Sequence, residues 1–367
     1  MTLAHRRLSR APLAALISGV LVLSACSSGD EDGQSTDSAA EDTAADDADA
    51  DDAADDTDAE TGDNAGATDD EAAADEGTWP RTIEHEAGTA EIPEEPTVIV
   101  STSITLTGTL LAIDAPVTAS AATGVGPLTD DQGFFAQWGE VADERGVEVL
   151  YPNLELDIEA IEALEPDLII GSTVGADSAV DAYDQLNEIA PTIMLDYGSN
   201  TWEDLAVTLG EATGSEAGAE EAIADFDAYV AEAAESITIP GQPATALAYN
   251  GADGGGTFSA ESSQAAILTG LGFDYYVGPE ELADEVRSDV SFFTAENLPS
   301  ALSEPQVIFV IAGGDEDADA LLADPLLANI PAVTSGNVVP AGATSFRIDY
   351  YSGMQMIDAI VAEYGTE

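Results

Sequence analysis

The sequence predicts an α/β fold: two doubly wound α/β lobes joined by a long interdomain helix. Three observations predict it. Short β-branched or apolar runs alternate with segments of helical periodicity in both halves of the chain, the pattern of parallel sheets wrapped by helices. An Ala/Glu-rich stretch, residues 216–236, separates the two alternating regions. Each region also repeats one small unit, a helix end, a turn containing Pro and a buried strand, in residues 164–170 (LEPDLII) and 302–308 (LSEPQVI).

Taken in order, residues 96–101 (PTVIVS) read as a buried strand and 102–113 as a helix. Residues 156–164 then read as helix, 166–170 as strand, 177–189 as helix and 191–195 as strand. The helix expected over 202–213 stops at Gly214-Ser215, and the next places Ile223, Phe226 and Val230 at helical spacing. At 1.5 Å per residue that second helix is about 30 Å long, enough to cross between lobes. Beyond Pro240 the alternation resumes: strand at 245–249, helices at 263–271 and 295–302, strand at 305–311 and a last helix at 351–363. Open α/β sheets bind ligands at the ends of their strands, so the cleft between two facing lobes is the expected site.

The N-terminus carries a separate signal. His5, Arg6, Arg7 and Arg10 form a basic region, and residues 11–23 are apolar over the length of a signal-peptide core, too short to span a bilayer. The sequence Leu23-Ser24-Ala25-Cys26 resembles a bacterial lipobox, in which cleavage precedes a cysteine that becomes lipidated; the alternative is an ordinary secretory peptide. Cys26 is the sole cysteine, which excludes intrachain disulfides. The domains expected are therefore a lipoprotein signal peptide (1–25), a lipidated Cys26 with a disordered acidic spacer (26–78), an N-terminal lobe (79–214), the interdomain helix (215–237) and a C-terminal lobe (238–367). As a flexible coil the spacer spans on the order of 40 Å, and more because its charges repel. The expected location is the outer face of the cell membrane, reached through the lipid alone.

Charge narrows the partners. The chain has no Lys and seven Arg against 73 acidic residues, of which 21 fall within residues 30–76. The remaining 52 face four Arg: Arg81, Arg145, Arg287 and Arg347. Such a field repels nucleic acid and anionic lipid and favours solubility, in keeping with a saline medium. Residues 30–76 contain almost nothing apolar larger than Ala, so no burial offsets the entropy of ordering them.

Enzymatic chemistry lacks its usual carriers. After the predicted cleavage one histidine remains, His85, and the chain has no Gly-x-Ser-x-Gly, phosphate loop or His-Glu-x-x-His. Bare metal would need clustered His or Cys ligands. The expectations are therefore no catalytic residue, no cofactor and no metal ligand.

Several segments, in order, resemble the ferric-enterobactin substrate-binding proteins of ABC importers: residues 78–83 (TWPRTI), 100–103 (VSTS), 111–116 (LAIDAP), 131–134 (DQGF), 177–192 (DSAVDAYDQLNEIAPT), 317–320 (DADA), 324–328 (DPLLA) and, most specifically, 346–352 (FRIDYYS). The resemblance implies a class III periplasmic-binding-protein-like fold with a rigid interdomain helix, acting as a monomer. It further implies capture of a ferric siderophore, catecholate and enterobactin-like, in the cleft and delivery to a membrane permease. The iron would be held by the siderophore; the same fold binding haem, through Tyr350 and Tyr351, or a hydroxamate siderophore is the alternative. Physical chemistry agrees, because an anionic complex of flat rings favours guanidinium donors and stacking partners.

The resemblance assigns Arg347 and Phe346 to the cleft, Arg287 to its cationic floor and Phe258, beside the glycines 254–256, to an aromatic ligand contact. Trp202, Tyr197 and Trp138 are weaker candidates. Asp177 or Asp181 in the first lobe and Asp315 to Asp317, Glu316 included, in the second are expected to dock on the permease. The sequence departs from the family in the loop 123–130 (TGVGPLTD), which lacks a basic residue reaching the ligand from the first lobe. Either the ligand is less anionic than enterobactin or Arg145 substitutes.

Overall fold

The computed structural model describes residues 78–366. The signal peptide, Cys26 and the acidic spacer lie outside the described residues.

A hairpin of β1 (Arg81–His85) and β2 (Gly88–Ile92) precedes the first lobe. The lobe proper contains β3 (Ile99–Ser101), α1 (Ile104–Ala112), β4 (Val117–Ser120), α2 (Gly139–Arg145), β5 (Glu148–Val149), α3 (Ile158–Ala163), β6 (Leu168–Ser172), α4 (Tyr183–Ile189) and β7 (Thr192–Leu195). Its five strands are all parallel in the order β5-β4-β3-β6-β7. Every residue of β3, β6 and β7 is buried, as expected of parallel strands covered on both faces.

Two helices lead out of this lobe. The first, α5 (Trp202–Thr213), opens with a reciprocal cap in which Thr201 and Asp204 bond each other's backbone N–H, and closes on Gly214 at φ 77°. The second, α6 (Glu216–Ser236), runs 21 residues. Arg81 ties the hairpin to their junction: it pairs with Glu216, donates to the Glu211 carbonyl at 2.5 Å and lies over Trp79.

The second lobe comprises β8 (Ala244–Tyr249), β9 (Gly255–Phe258), α7 (Ser263–Gly270), β10 (Glu285–Val286), β11 (Val290–Phe293), α8 (Leu298–Ala301), β12 (Val307–Val310), α9 (Asp315–Ala323), α10 (Pro331–Ser335), β13 (Val338–Pro340) and α11 (Tyr350–Tyr364). Its order is β10-β11-β9-β8-β12-β13. The strands β8, β12 and β13 are parallel, but β9, β11 and β10 run antiparallel to their neighbours, so the doubly wound pattern expected of both lobes is complete only in the first. The reason is local. Residues 250–254 make a tight turn from β8 into β9, too short for the crossover that parallel neighbours need. Gly254 sits there at φ 98°, and a Cβ on it would come within 2.0 Å of the Phe293 carbonyl oxygen.

Other boundaries differ too. The helix expected over 295–302 is formed only at Leu298–Ala301. The one expected over 177–189 begins as a loop and a 3-10 turn, because Asp177 is drawn inward, as described below.

One apolar cluster runs unbroken through both lobes, taking in Ile99, Leu110, Trp202, Phe226, Phe258, Phe309 and Ile357. Its centre is a ring contact between three helices. Trp202 of α5 meets Phe226 of α6 edge-on at 5.0 Å and Tyr350 of α11 at 5.6 Å. Burying rings of this size stabilises by about 2–3 kcal/mol each, so the lobes share a core as well as a linker.

Candidate functional site

A cleft partly open to solvent lies between the lobes. The first lobe contributes Thr105 and Thr109 of α1, residues 197–200 after β7, and Leu205 of α5; the second contributes residues 258–264, Ser288, Asp289 and residues 346–348. Tyr197 follows the C-terminal end of β7 and Phe346 follows that of β13, so the site occupies the strand-end position that open α/β sheets use.

At its centre stands Arg347. The guanidinium carbon lies 4.9 Å from the centroid of the Tyr197 ring and 5.0 Å from that of Phe346. The side chain is 37% exposed, and its charged partner is Asp289 Oδ2 at 4.0 Å, not the neighbouring Asp349.

Each ring is held from behind. Tyr197 donates its hydroxyl to Asp177 Oδ1 at 2.7 Å, and Asp177 Oδ2 in turn accepts from Ser103 Oγ at 2.6 Å and from the Thr105 backbone N–H at 3.1 Å. That N–H is one of the unpaired donors of the first turn of α1, where negative charge is favoured. Burial and the Asp177 carboxylate both push the Tyr197 hydroxyl above its ordinary pKa, which keeps it a donor. Gly175, at φ 82°, leaves the room this bond needs: a Cβ there would fall 1.6 Å from the Tyr197 hydroxyl.

Phe346 packs edge-on against Phe258 at 5.8 Å. The buried Gln264 of α7 donates from Nε2 to the carbonyls of Ser345 and Phe346 at 2.9 and 3.0 Å, and Ser352 Oγ donates to the Arg347 carbonyl at 3.0 Å. Asp349 and Ser352 form the reciprocal cap of α11. The segment 346–352 is therefore part cleft lining and part helix cap.

The structure brings together Arg347, Phe346, Phe258 and Tyr197 at the cleft. Phe258 is there as a support, since only 1% of it is exposed and the glycines beside it serve the β8–β9 turn and the packing of Phe292. Two expected contacts are displaced. Trp202 is 1% exposed within the aromatic core, and Leu205, one turn along α5, reaches the cleft instead. Arg287 is exposed on the β10–β11 hairpin, lying over Phe292 and bonded to Glu285 at 2.7 Å; the Glu285 bond raises its already high pKa. Its neighbours Ser288 and Asp289 line the cleft in its place.

Asp177 does not fit a docking role, because it is 6% exposed and saturated by the three bonds above. Asp181, Asp315 and Glu316 are exposed. Trp138 is buried against Phe134. Tyr350 and Tyr351, the candidate haem ligands, pack on each other beside Trp202 and do not line the cleft. Arg145 pairs with Asp114 at 2.5 Å and is likewise no part of the lining. Sequence reasoning missed Gln264, Glu261, Asn200 and the hydroxyls of Thr105 and Ser259; the partners of Gln264 lie more than 80 positions away, and a lone Ser, Thr or Asn carries no pattern.

Residues 98–343 match the periplasmic binding protein family, and the chain belongs to it. The ferric enterobactin-binding periplasmic protein FepB of Escherichia coli O6:H1 is 44% identical over 297 residues, covering 79% of this chain and 93% of that protein. The probable siderophore-binding lipoprotein YfiY of Bacillus subtilis is 27% identical, covering 70% and 78%. Among solved structures, holo-ViuP superposes with a TM-score of 0.73 at 36% identity, covering 79% of this chain and 96% of the other. These relatives are solute-binding proteins. Among the described residues no helix is long and apolar enough to cross a membrane, and no group of three or more His, Cys, Asp or Glu is placed to hold a metal ion.

Proposed function

We propose that the protein is the extracytoplasmic solute-binding component of an ABC importer, capturing a ferric siderophore of catecholate type in the interlobe cleft and delivering it to a membrane permease. The observation that carries this reading is the Arg347 guanidinium held between Tyr197 of one lobe and Phe346 of the other. A charged, planar donor flanked by rings suits a complex that presents anionic oxygens on aromatic plates. The names of FepB and YfiY, each a siderophore binder, support it.

The cleft's chemistry is that of binding. Arg347 supplies charge-assisted hydrogen bonds, the half-buried ring of Phe346 offers apolar contact, and Thr105, Asn200 and Ser259 supply neutral polar contacts. Siderophore oxygens would hold the iron, so the protein needs no metal ligand of its own and performs no catalysis. Delivery would use the exposed acids that follow C-terminal strand ends on the cleft side: Asp181 beyond β6, and Asp315 and Glu316 opening α9 beyond β12. Lipidation at Cys26 would keep the protein, a monomer, at the membrane.

Equilibrium dialysis of the purified full chain against ferric catecholates, ferric hydroxamates and haem tests the reading. Saturable binding confined to ferric siderophores supports it; saturable binding of haem alone, or of none of these, overturns it.

A further inference from the structure

The cleft holds one cation against two anions. Among its lining residues Arg347 is the cation, while Asp289 and Glu261 are carboxylates, with Asp289 Oδ2 4.0 Å from the guanidinium. The rest of the polar lining is uncharged, formed by hydroxyls and amides such as Thr105, Ser199, Asn200, Ser259 and Ser288. Ser259 Oγ is buried without a protein partner, an open position for a ligand amide or hydroxyl.

No other base lines the cleft. The chain has no Lys, and the three remaining arginines among the described residues are committed elsewhere: Arg81 to Glu216, Arg145 to Asp114 and Arg287 to Glu285. Loop 123–130 contains no basic residue. The choice left open by the sequence, a weakly anionic ligand or rescue by Arg145, therefore closes on the first.

Charge arithmetic on the ligand then follows. Ferric iron with three doubly deprotonated catechols carries three net negative charges; with two, and neutral donors completing its coordination, it carries one. In a partly desolvated cleft each added ligand charge within about 8 Å of a carboxylate costs roughly fivefold to tenfold in affinity at low salt. A trianionic complex meets that cost at both Asp289 and Glu261 and gains from a single guanidinium already shared with Asp289. A monoanionic complex meets the same two carboxylates with one charge instead of three while keeping the contact with Arg347, and its neutral groups are met by the hydroxyl rim.

Resting on the siderophore reading above, we propose that the cleft selects ferric complexes bearing no more than one net negative charge, the bis-catecholate class, and that Asp289 is the specificity-determining residue that disfavours tris-catecholates. The flanking rings favour catechol over hydroxamate; the carboxylates set the charge limit.

The test titrates the full chain with a ferric tetradentate bis-catecholate and with ferric enterobactin, a tris-catecholate, at low and high ionic strength. At low salt the bis-catecholate should bind at least tenfold more tightly, and the gap should narrow as salt screens the carboxylates. Asp289→Asn should tighten both complexes, and ferric enterobactin at least about fivefold more than the bis-catecholate, since three charges meet the carboxylate in one case and a single charge in the other. Equal or tighter binding of ferric enterobactin by the wild type at low salt, or an Asp289→Asn variant that gains nothing for it, overturns the charge limit while leaving the siderophore reading in place. Failure of both complexes to bind overturns the siderophore reading and this inference with it.

Discussion

The guanidinium of Arg347 stands 4.9 Å over the ring of Tyr197, joining side chains that come from opposite lobes and lie 150 positions apart in the chain. Behind that contact, Tyr197 is bonded to Asp177, and Asp177 to the start of α1. The cleft surface is thus the front of a polar chain anchored in the first lobe.

Replacing Arg347 removes the cleft's cation. Arg347→Ala should weaken binding of a ferric catecholate by about 1.5–3 kcal/mol, the range for a charge-assisted bond, with the fold intact. Arg347→Lys should recover only part of it, since an ammonium lacks the planar fork. Isothermal titration checks both; an unchanged affinity in Arg347→Ala would move the site elsewhere.

Phe258 and Phe346 touch, yet should fail differently. Phe258→Ala opens a hole in the core and should cost about 3–5 kcal/mol of stability in urea unfolding. Phe346 is half-buried, so Phe346→Ala should cost less stability but lower affinity by about 0.5–2 kcal/mol through the lost cation–π face.

Asp177→Ala strands three donors, a buried one on Ser103 and half-buried ones on Thr105 and Tyr197, and should destabilise by about 2–4 kcal/mol. Gly175→Ala reaches the same bond from the other side, driving a Cβ into the Tyr197 hydroxyl, and should loosen ligand binding as the ring shifts. Thermal denaturation and titration on the same samples separate the two effects; a wild-type melting temperature in Asp177→Ala would contradict the latch.

The segments that were legible share a cause. In the first lobe every strand from β3 to β6 is followed by a crossover, and β3, β6 and β7 are buried on both faces, so their apolar runs stand out against the polar turns and helices. The β9–β11 region was not legible, because Gly254-Gly255-Gly256 reads as a flexible loop until Phe293 and Ala248 close on it. In the site, Arg347 was placed by the resemblance of residues 346–352, with support from scarcity, since it is one of only four Arg beyond the first ten residues. Trp202 and Asp177 were misplaced for the converse reason: an aromatic ring and a carboxylate look the same in sequence whether they face a ligand or a core. Asp289 was not among the residues singled out from the sequence, and the hairpin turns it toward Arg347.

Burial raises the Asp349 carboxyl above its ordinary value of 3.8, against the bonds from Ser352, Gln137 and Tyr351 that favour its charged form. A raised folded-state pKa means the folded protein binds the proton more tightly than the unfolded chain. The associated stability is fully present below about pH 4 and is lost as pH rises through the folded value. Asp349→Asn removes that dependence, so its stability relative to wild type should improve as pH rises above about 4. Parallel pH profiles for the two proteins would contradict the assignment.

Tryptophan fluorescence tests the central claim most directly, because Trp202 lies beneath the cleft on α5, three residues from the lining residue Leu205. Titrating the full chain with a ferric catecholate should quench its emission saturably, with far less quenching by the iron-free ligand and a markedly weaker curve for Arg347→Ala. The absence of saturable quenching with any ferric siderophore, or identical curves for wild type and Arg347→Ala, would contradict capture of a ferric complex at Arg347.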